Sequence, residues 1–211
     1  MNPTLLIVLL GSWSHVHGCD LLGLNLCTWK FAYNVTDNTS EGVSAIPPKA
    51  EALQMCRYKH QLESCFEPKL EGCSTNIVYL STIAPTEGTL KFMCAGDLEA
   101  YISQDSCWSL PEIRNLTAEC YLQYISDIQE ILTSPDMLLG PKHTLIDNFC
   151  SVMGRSRHCM HDAIKQKCSE APVNIVSELM ETVFRKMTSL FSCQYNKNLV
   201  SKGRKRMYQL Y

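Results

Sequence analysis

The stretch CRYKHQLESCFEPKLEGC at residues 56–73 returns, one residue longer, as CSVMGRSRHCMHDAIKQKC at residues 150–168. The first reads Cys56-x8-Cys65-Phe66-x6-Cys73 and the second Cys150-x8-Cys159-Met160-x7-Cys168. Outward from the first lie Cys19, Cys27 and Cys94; outward from the second lie Cys107, Cys120 and Cys193. The intervals are 8, 29, 9, 8 and 21 in one set, and 13, 30, 9, 9 and 25 in the other. Other residues keep the same register. Leu70 and Ile164 fall inside the two spacers, Asn76-Ile77-Val78 aligns with Asn174-Ile175-Val176, and Phe92 and Phe191 each stand two residues before a sixth cysteine. The pattern is that of a tandem duplication of about 90 residues, with a first six-cysteine repeat over 19–106 and a second over 107–193.

Inside each repeat the apolar period is helical. Val176, Leu179, Met180, Val183, Phe184, Met187, Leu190 and Phe191 make one stripe of 3.6-residue period, with Ser169 as N-cap and Pro172 in the first turn. Leu116, Cys120, Tyr124, Ile125, Ile128, Ile131 and Leu132 make a second, stopped by Pro135. A third runs from Lys49 through Leu53, Cys56 and Leu62 to Pro68, and a fourth takes in Leu145, Ile146, Phe149, Cys150 and Met153 before Gly154 breaks it. Only Ile77 to Ile83 reads ambiguously as strand or helix. The expected fold is all-α: two tandem disulfide-stapled helical repeats. Nine residues turn an α-helix through about 180°. Cys56 and Cys65, like Cys150 and Cys159, therefore either tie one helix to neighbours on both sides or sit on two helices separated by a break. Six cysteines allow 15 pairings, and spacing does not choose among them. The duplication places three bridges within each repeat, each adding about 2–4 kcal/mol to a unit too small to rely on its core alone.

Twelve cysteines in 211 residues mark a disulfide scaffold made for an oxidising compartment. The apolar run Leu5 to Leu10 is shorter than the ~20 residues of a membrane span. With Val16 and Gly18 before Cys19 it reads as a signal peptide over 1–18, cut before Cys19; a cut after Ser14 is the alternative. Sequons at Asn34, Asn38 and Asn115 fit the same route, whereas Asn2-Pro-Thr4 is disqualified by its proline. The expected protein is secreted, extracellular, glycosylated and without a transmembrane segment.

The spacing of the two quoted stretches resembles a cysteine-rich helical repeat found in invertebrate secreted proteins. That resemblance implies an extracellular helical glycoprotein without enzymatic activity, and it brings no binding residues with it. Saposins also carry six cysteines per helical repeat, but their short outer spacers have no counterpart in Cys19 to Cys27 or Cys73 to Cys94.

The chain is poor in recognisable chemistry. His158-Cys159-Met160-His161-Asp162 has the His–Asp neighbourhood of secreted phospholipases, without their glycine-rich calcium loop or doubled cysteine. The two histidines supply at most two metal ligands, and exposed polar helix residues are the better reading. No nucleophile elbow, zincin, P-loop or paired-carboxylate motif occurs, so no catalytic residue, metal or cofactor is expected. A net charge of −2 gives no reason to expect nucleic acid. Lys202-Gly203-Arg204-Lys205-Arg206 leaves 15 of the 19 basic residues to balance 21 acidic ones in the rest of the chain. Residues 194–211 read as a basic, disordered tail, with a processing site at Lys205-Arg206 and contact with acidic glycans as further readings. Met153, Met180 and Met187 suit either a lipid pocket or ordinary core, with core favoured. The expected function is a secreted, non-enzymatic glycoprotein that binds or carries an extracellular ligand. The alternative is a signalling factor or precursor processed at the basic site.

Overall fold

The computed structural model describes residues 18–36, 45–96 and 98–193. The leader, Asn38, Lys205, Arg206 and the basic tail lie outside the described residues, apart from Gly18. The described residues are all-α, with no strand among them. The chain divides into two compact units on either side of Asp105–Ser106.

The first unit opens with α1 (Leu21–Val35), followed by α2 (Lys49–Phe66) and a single 3₁₀ turn (Glu67–Lys69). Next come α3 (Ile77–Thr82), α4 (Ala84–Ala95) and α5 (Leu98–Ile102); α6 (Asp105–Trp108) spans the boundary. Helix α2 is central, packed against α1 on one side and α4 on the other. Its buried stripe is Ala52, Met55, Leu62 and Phe66, while Leu53 is exposed, one position off the expected face. Pro48 offers no capping side chain at the start of α2. The Asp105 carboxylate supplies the cap instead, accepting from the Lys49 backbone N–H at 2.7 Å, where the helix dipole favours negative charge. Tyr101 anchors the same corner, buried, with its hydroxyl donating to the Pro47 carbonyl at 2.7 Å.

The segment Ile77–Ile83 is helical. Asn76 decides it, because its side-chain oxygen accepts from the N–H groups of Val78 and Tyr79 at 3.0 and 3.1 Å. Pro85 then separates α3 from α4, since it has no N–H to continue the ladder and its ring crowds the carbonyl four residues back.

The second unit contains α7 (Pro111–Thr133), the short α8 (Asp136–Leu139), α9 (Lys142–Lys165) and α10 (Glu170–Phe191). Helix α9 is central, packed against α7 and α10. It runs unbroken through Gly154, contrary to the expected break. An interior glycine costs about 1 kcal/mol, less than the central helix gains by burying Phe149, Val152, Met153, Met160 and Ile164. Ser169 occupies the N-cap position of α10, but its side chain makes no capping hydrogen bond. The core face of α10 is Val173, Val176, Leu179, Met180, Phe184 and Met187; Val183 is only half-buried and Leu190 is exposed. Asn174 sits exposed inside α10, so it does not share the capping role of Asn76. Ser192 ends α10 in the left-handed region at φ 52°, turning the chain so that Cys193 meets α9.

All twelve cysteines are bridged. The pairs are Cys19–Cys73, Cys27–Cys65 and Cys56–Cys94 in one unit, and Cys107–Cys168, Cys120–Cys159 and Cys150–Cys193 in the other. Both units pair first with fifth, second with fourth and third with sixth. The nine-residue spacing thus resolves as one continuous central helix stapled on opposite sides. Cys65 ties α2 to α1 and Cys56 ties it to α4; Cys159 ties α9 to α7 and Cys150 ties it to the end of α10.

Candidate functional site

Helix α1 begins where the Asp20 carboxylate accepts from the Gly23 N–H at 2.8 Å. Its inner face, Leu21, Leu24, Cys27, Phe31 and Val35, is buried. Its outer face is also apolar. Leu22 is 38% exposed, Leu26 62%, Trp29 73% and Tyr33 55%. Intervals of 4, 3 and 4 residues bring these four onto one stripe, about 16 Å long at 1.5 Å per residue. The rings of Trp29 and Tyr33 stack with centroids 6.5 Å apart and planes 20° apart. Lys30 is the only charged residue in the helix.

The second unit provides an internal comparison. Aligned on its second cysteine, Cys120, helix α7 carries Asn115, Glu119, Leu122 and Ser126 where α1 carries Leu22, Leu26, Trp29 and Tyr33. All four are exposed, and only Leu122 is apolar. A helix with the same disulfide position therefore does not need an apolar outer face. The α1 stripe is a property of its sequence rather than a requirement of the bundle.

The stripe escapes a search for helical periods for a physical reason. Amphipathic patterning needs a polar face, and α1 is apolar on two opposite sides. The available signal was the series Leu22, Leu26, Trp29, Tyr33, interleaved with Leu21, Leu24, Phe31 and Val35.

The histidine cluster lies on α9. His158 Nε2 stands 3.1 Å and His161 Nδ1 3.4 Å from the two carboxylate oxygens of Asp162. One carboxylate thus serves two partly exposed imidazoles. Cys159 between them is oxidised to Cys120. Among the described residues no three His, Cys, Asp or Glu side chains converge as a metal site. An open groove of about 340 Å³ lies between α9 and α10, lined by Arg157, Glu181, Arg185, Thr188, Ser189 and Cys193. Arg157, Arg185 and Glu181 give it both signs of charge. Met153, Met180 and Met187 are buried in the core.

Asn115 is exposed near the start of α7, while Thr117 of its sequon is buried, its hydroxyl donating to the Ile113 carbonyl at 2.8 Å. Asn34 is half-buried in the last turn of α1, with its amide 3.5 Å from the Gln61 side-chain oxygen. Among the described residues no helix is long and apolar enough to cross a membrane. Comparison with protein-family models, with curated proteins and with solved structures returned no significant match.

Proposed function

We propose that the chain is a secreted, non-enzymatic, cysteine-rich glycoprotein that acts by binding, and that the outer face of α1 is its binding surface. The observation that carries this reading is the exposed Leu22–Leu26–Trp29–Tyr33 stripe. It gathers roughly 500 Å² of apolar surface, taking an aromatic side chain at ~150–250 Å² and the exposed fraction of each residue. A patch of that size is as large as the largest on an ordinary monomer, where such patches are often functional. Full pairing of twelve cysteines supports an oxidising, extracellular setting. The shared bridge order of the two units supports a tandem duplication.

The test uses protein recovered from the medium of secreting cells. Its intact mass should show the leader gone and no alkylatable thiol. At submicromolar protein, an apolar reporter dye should bind saturably, and Leu26→Ser/Trp29→Ser should abolish that binding without moving the melting curve. Retention inside the cell, a titratable thiol, or dye binding indifferent to the double substitution would overturn the proposal.

A further inference from the structure

We propose that Cys150–Cys193 is a thiol-exchange site, opened by a small anionic thiol that seats in the groove between α9 and α10 and attacks Cys193. This step is independent of the α1 surface, and either reading stands without the other. Exposure singles out two bridges. Cys19 and Cys73 are both buried, and Cys27–Cys65, Cys107–Cys168 and Cys120–Cys159 each keep one buried cysteine. In Cys56–Cys94 and Cys150–Cys193 both cysteines are half-buried. A thiolate must reach sulfur to attack it, so accessible disulfides are the exchangeable ones.

The groove sets the second of these apart from the first. Cys193 lines it and Cys150 does not, so a thiol held there meets Cys193 and makes Cys150 the leaving group. Its volume of about 340 Å³ falls at the lower end of the range that takes a small ligand. Cys193 stands two residues beyond Phe191, where α10 ends. Between them Ser192 is the one non-glycine residue at positive φ among those described. That left-handed turn disfavours an L-residue, and the bridge retains it. Opening the bridge frees the turn together with Cys193.

Charge selects the thiol. Arg157 lies seven residues after Cys150 on α9, and Arg185 lies eight residues before Cys193 on α10. At 1.5 Å per residue both positions are roughly 10–12 Å along the helices from the bridge. Thr188 and Ser189 place hydroxyls in the interval. The lining sets two guanidiniums against one carboxylate, that of Glu181. A peptide-sized thiol whose carboxylates lie several bonds from its sulfur spans this distance, and guanidinium groups favour those carboxylates.

The exchange balances. The incoming thiolate attacks Cys193 Sγ, the Cys150–Cys193 bond breaks as the new S–S bond forms, and Cys150 leaves as a thiolate that takes a proton from water. The attacking sulfur is oxidised and Cys150 is reduced, leaving a mixed disulfide on Cys193.

Secreted protein is treated at pH 8 with millimolar reduced glutathione or with cysteamine, its cationic counterpart, then quenched by alkylation and mapped by peptide mass. Cys150–Cys193 should open first, with glutathione on Cys193 and the alkyl label on Cys150. Dividing its rate by that of Cys56–Cys94 in the same sample cancels each thiol's own reactivity. At low ionic strength this ratio should be about three- to tenfold higher for glutathione than for cysteamine, and half-molar salt should bring the two together. Arg185→Glu makes the lining net negative and should reverse the preference with an unchanged melting curve, because Arg185 is exposed.

Opening that starts at any other bridge, or at Cys56–Cys94 equally fast, overturns the proposal. Glutathione recovered on Cys150 overturns it as well. A ratio indifferent to thiol charge, to salt and to Arg185→Glu removes the groove from the step and refutes it equally.

Discussion

Replacing Cys120 and Cys159 together by alanine removes the bridge that ties α9 to α7 and leaves the other two bridges of that unit in place. Alanine keeps the Cβ of each residue and leaves no buried thiol. The two cysteines stand 39 residues apart. Releasing a loop of that length returns about 4 kcal/mol of conformational entropy to the unfolded chain. Against the 5–15 kcal/mol that holds an ordinary domain together, the folded-to-unfolded ratio falls by about a thousandfold. A small domain loses roughly 2–4 kcal/mol per molar guanidinium, so the unfolding midpoint of the second unit should drop by about 1–2 M. Far-UV circular dichroism follows the transition, and hydrogen exchange assigns it to a unit. Cys27→Ala/Cys65→Ala should cost the first unit nearly the same, because that bridge spans 38 residues and holds the same place in the pairing order. The reasoning is refuted if the midpoint does not move. It is refuted equally if amides of the first unit lose protection together with those of the second.

Phe184→Ala should cost about 3–5 kcal/mol and sharply reduce secretion, since Phe184 is buried with its ring 5.5 Å from that of Tyr124, whereas exposed Glu181→Ala should leave secretion and melting unchanged. Burial first, and then Glu51 and Asp105, hold the Tyr101 phenol well above its ordinary value. Folding therefore raises this pKa, so its contribution is complete below about pH 10 and drains away at higher pH. Tyr101→Phe should flatten the alkaline limb of the first unit's stability profile, while Tyr124, also raised by burial, maintains that of the second. The same substitution should lower stability at neutral pH by about 1–3 kcal/mol by leaving the Pro47 carbonyl unpaired, read by chemical denaturation. Asn115→Gln should remove one glycan from the intact mass without moving the melting temperature, because Asn115 is exposed.

Cysteine spacing and one-sided apolar periods made the helical class readable, because a helix with a wet face and a dry face writes a 3.6-residue signature. They located α2 and α10 to within a few residues and the body of α7, whereas the second half of α9, beyond Gly154, was not anticipated. Single positions were less legible. Leu53 and Val183 both fit an apolar stripe, yet one is exposed and the other half-buried, since a stripe wider than the contact made by neighbouring helices leaves its margins in solvent. Gly154 looked like a breaker because propensity is local, and the burial that overrides it comes from α7 and α10. The candidate surface was hidden because α1 is apolar on both sides.

By itself the sequence determined the all-α class, the six-cysteine register and the division near residue 106, all of which are written in short-range spacing. The tertiary structure alone decided which cysteines pair. Nine residues of unbroken helix put Cys56 and Cys65, or Cys150 and Cys159, on opposite sides, but spacing says neither that the helix is unbroken nor what packs against each side, so only the neighbours there could name the partners. It decided likewise which apolar face of α1 is core. Leu24 and Leu26 are chemically the same residue, and the first is buried and the second exposed solely because α2 lies on one side of the helix and not the other.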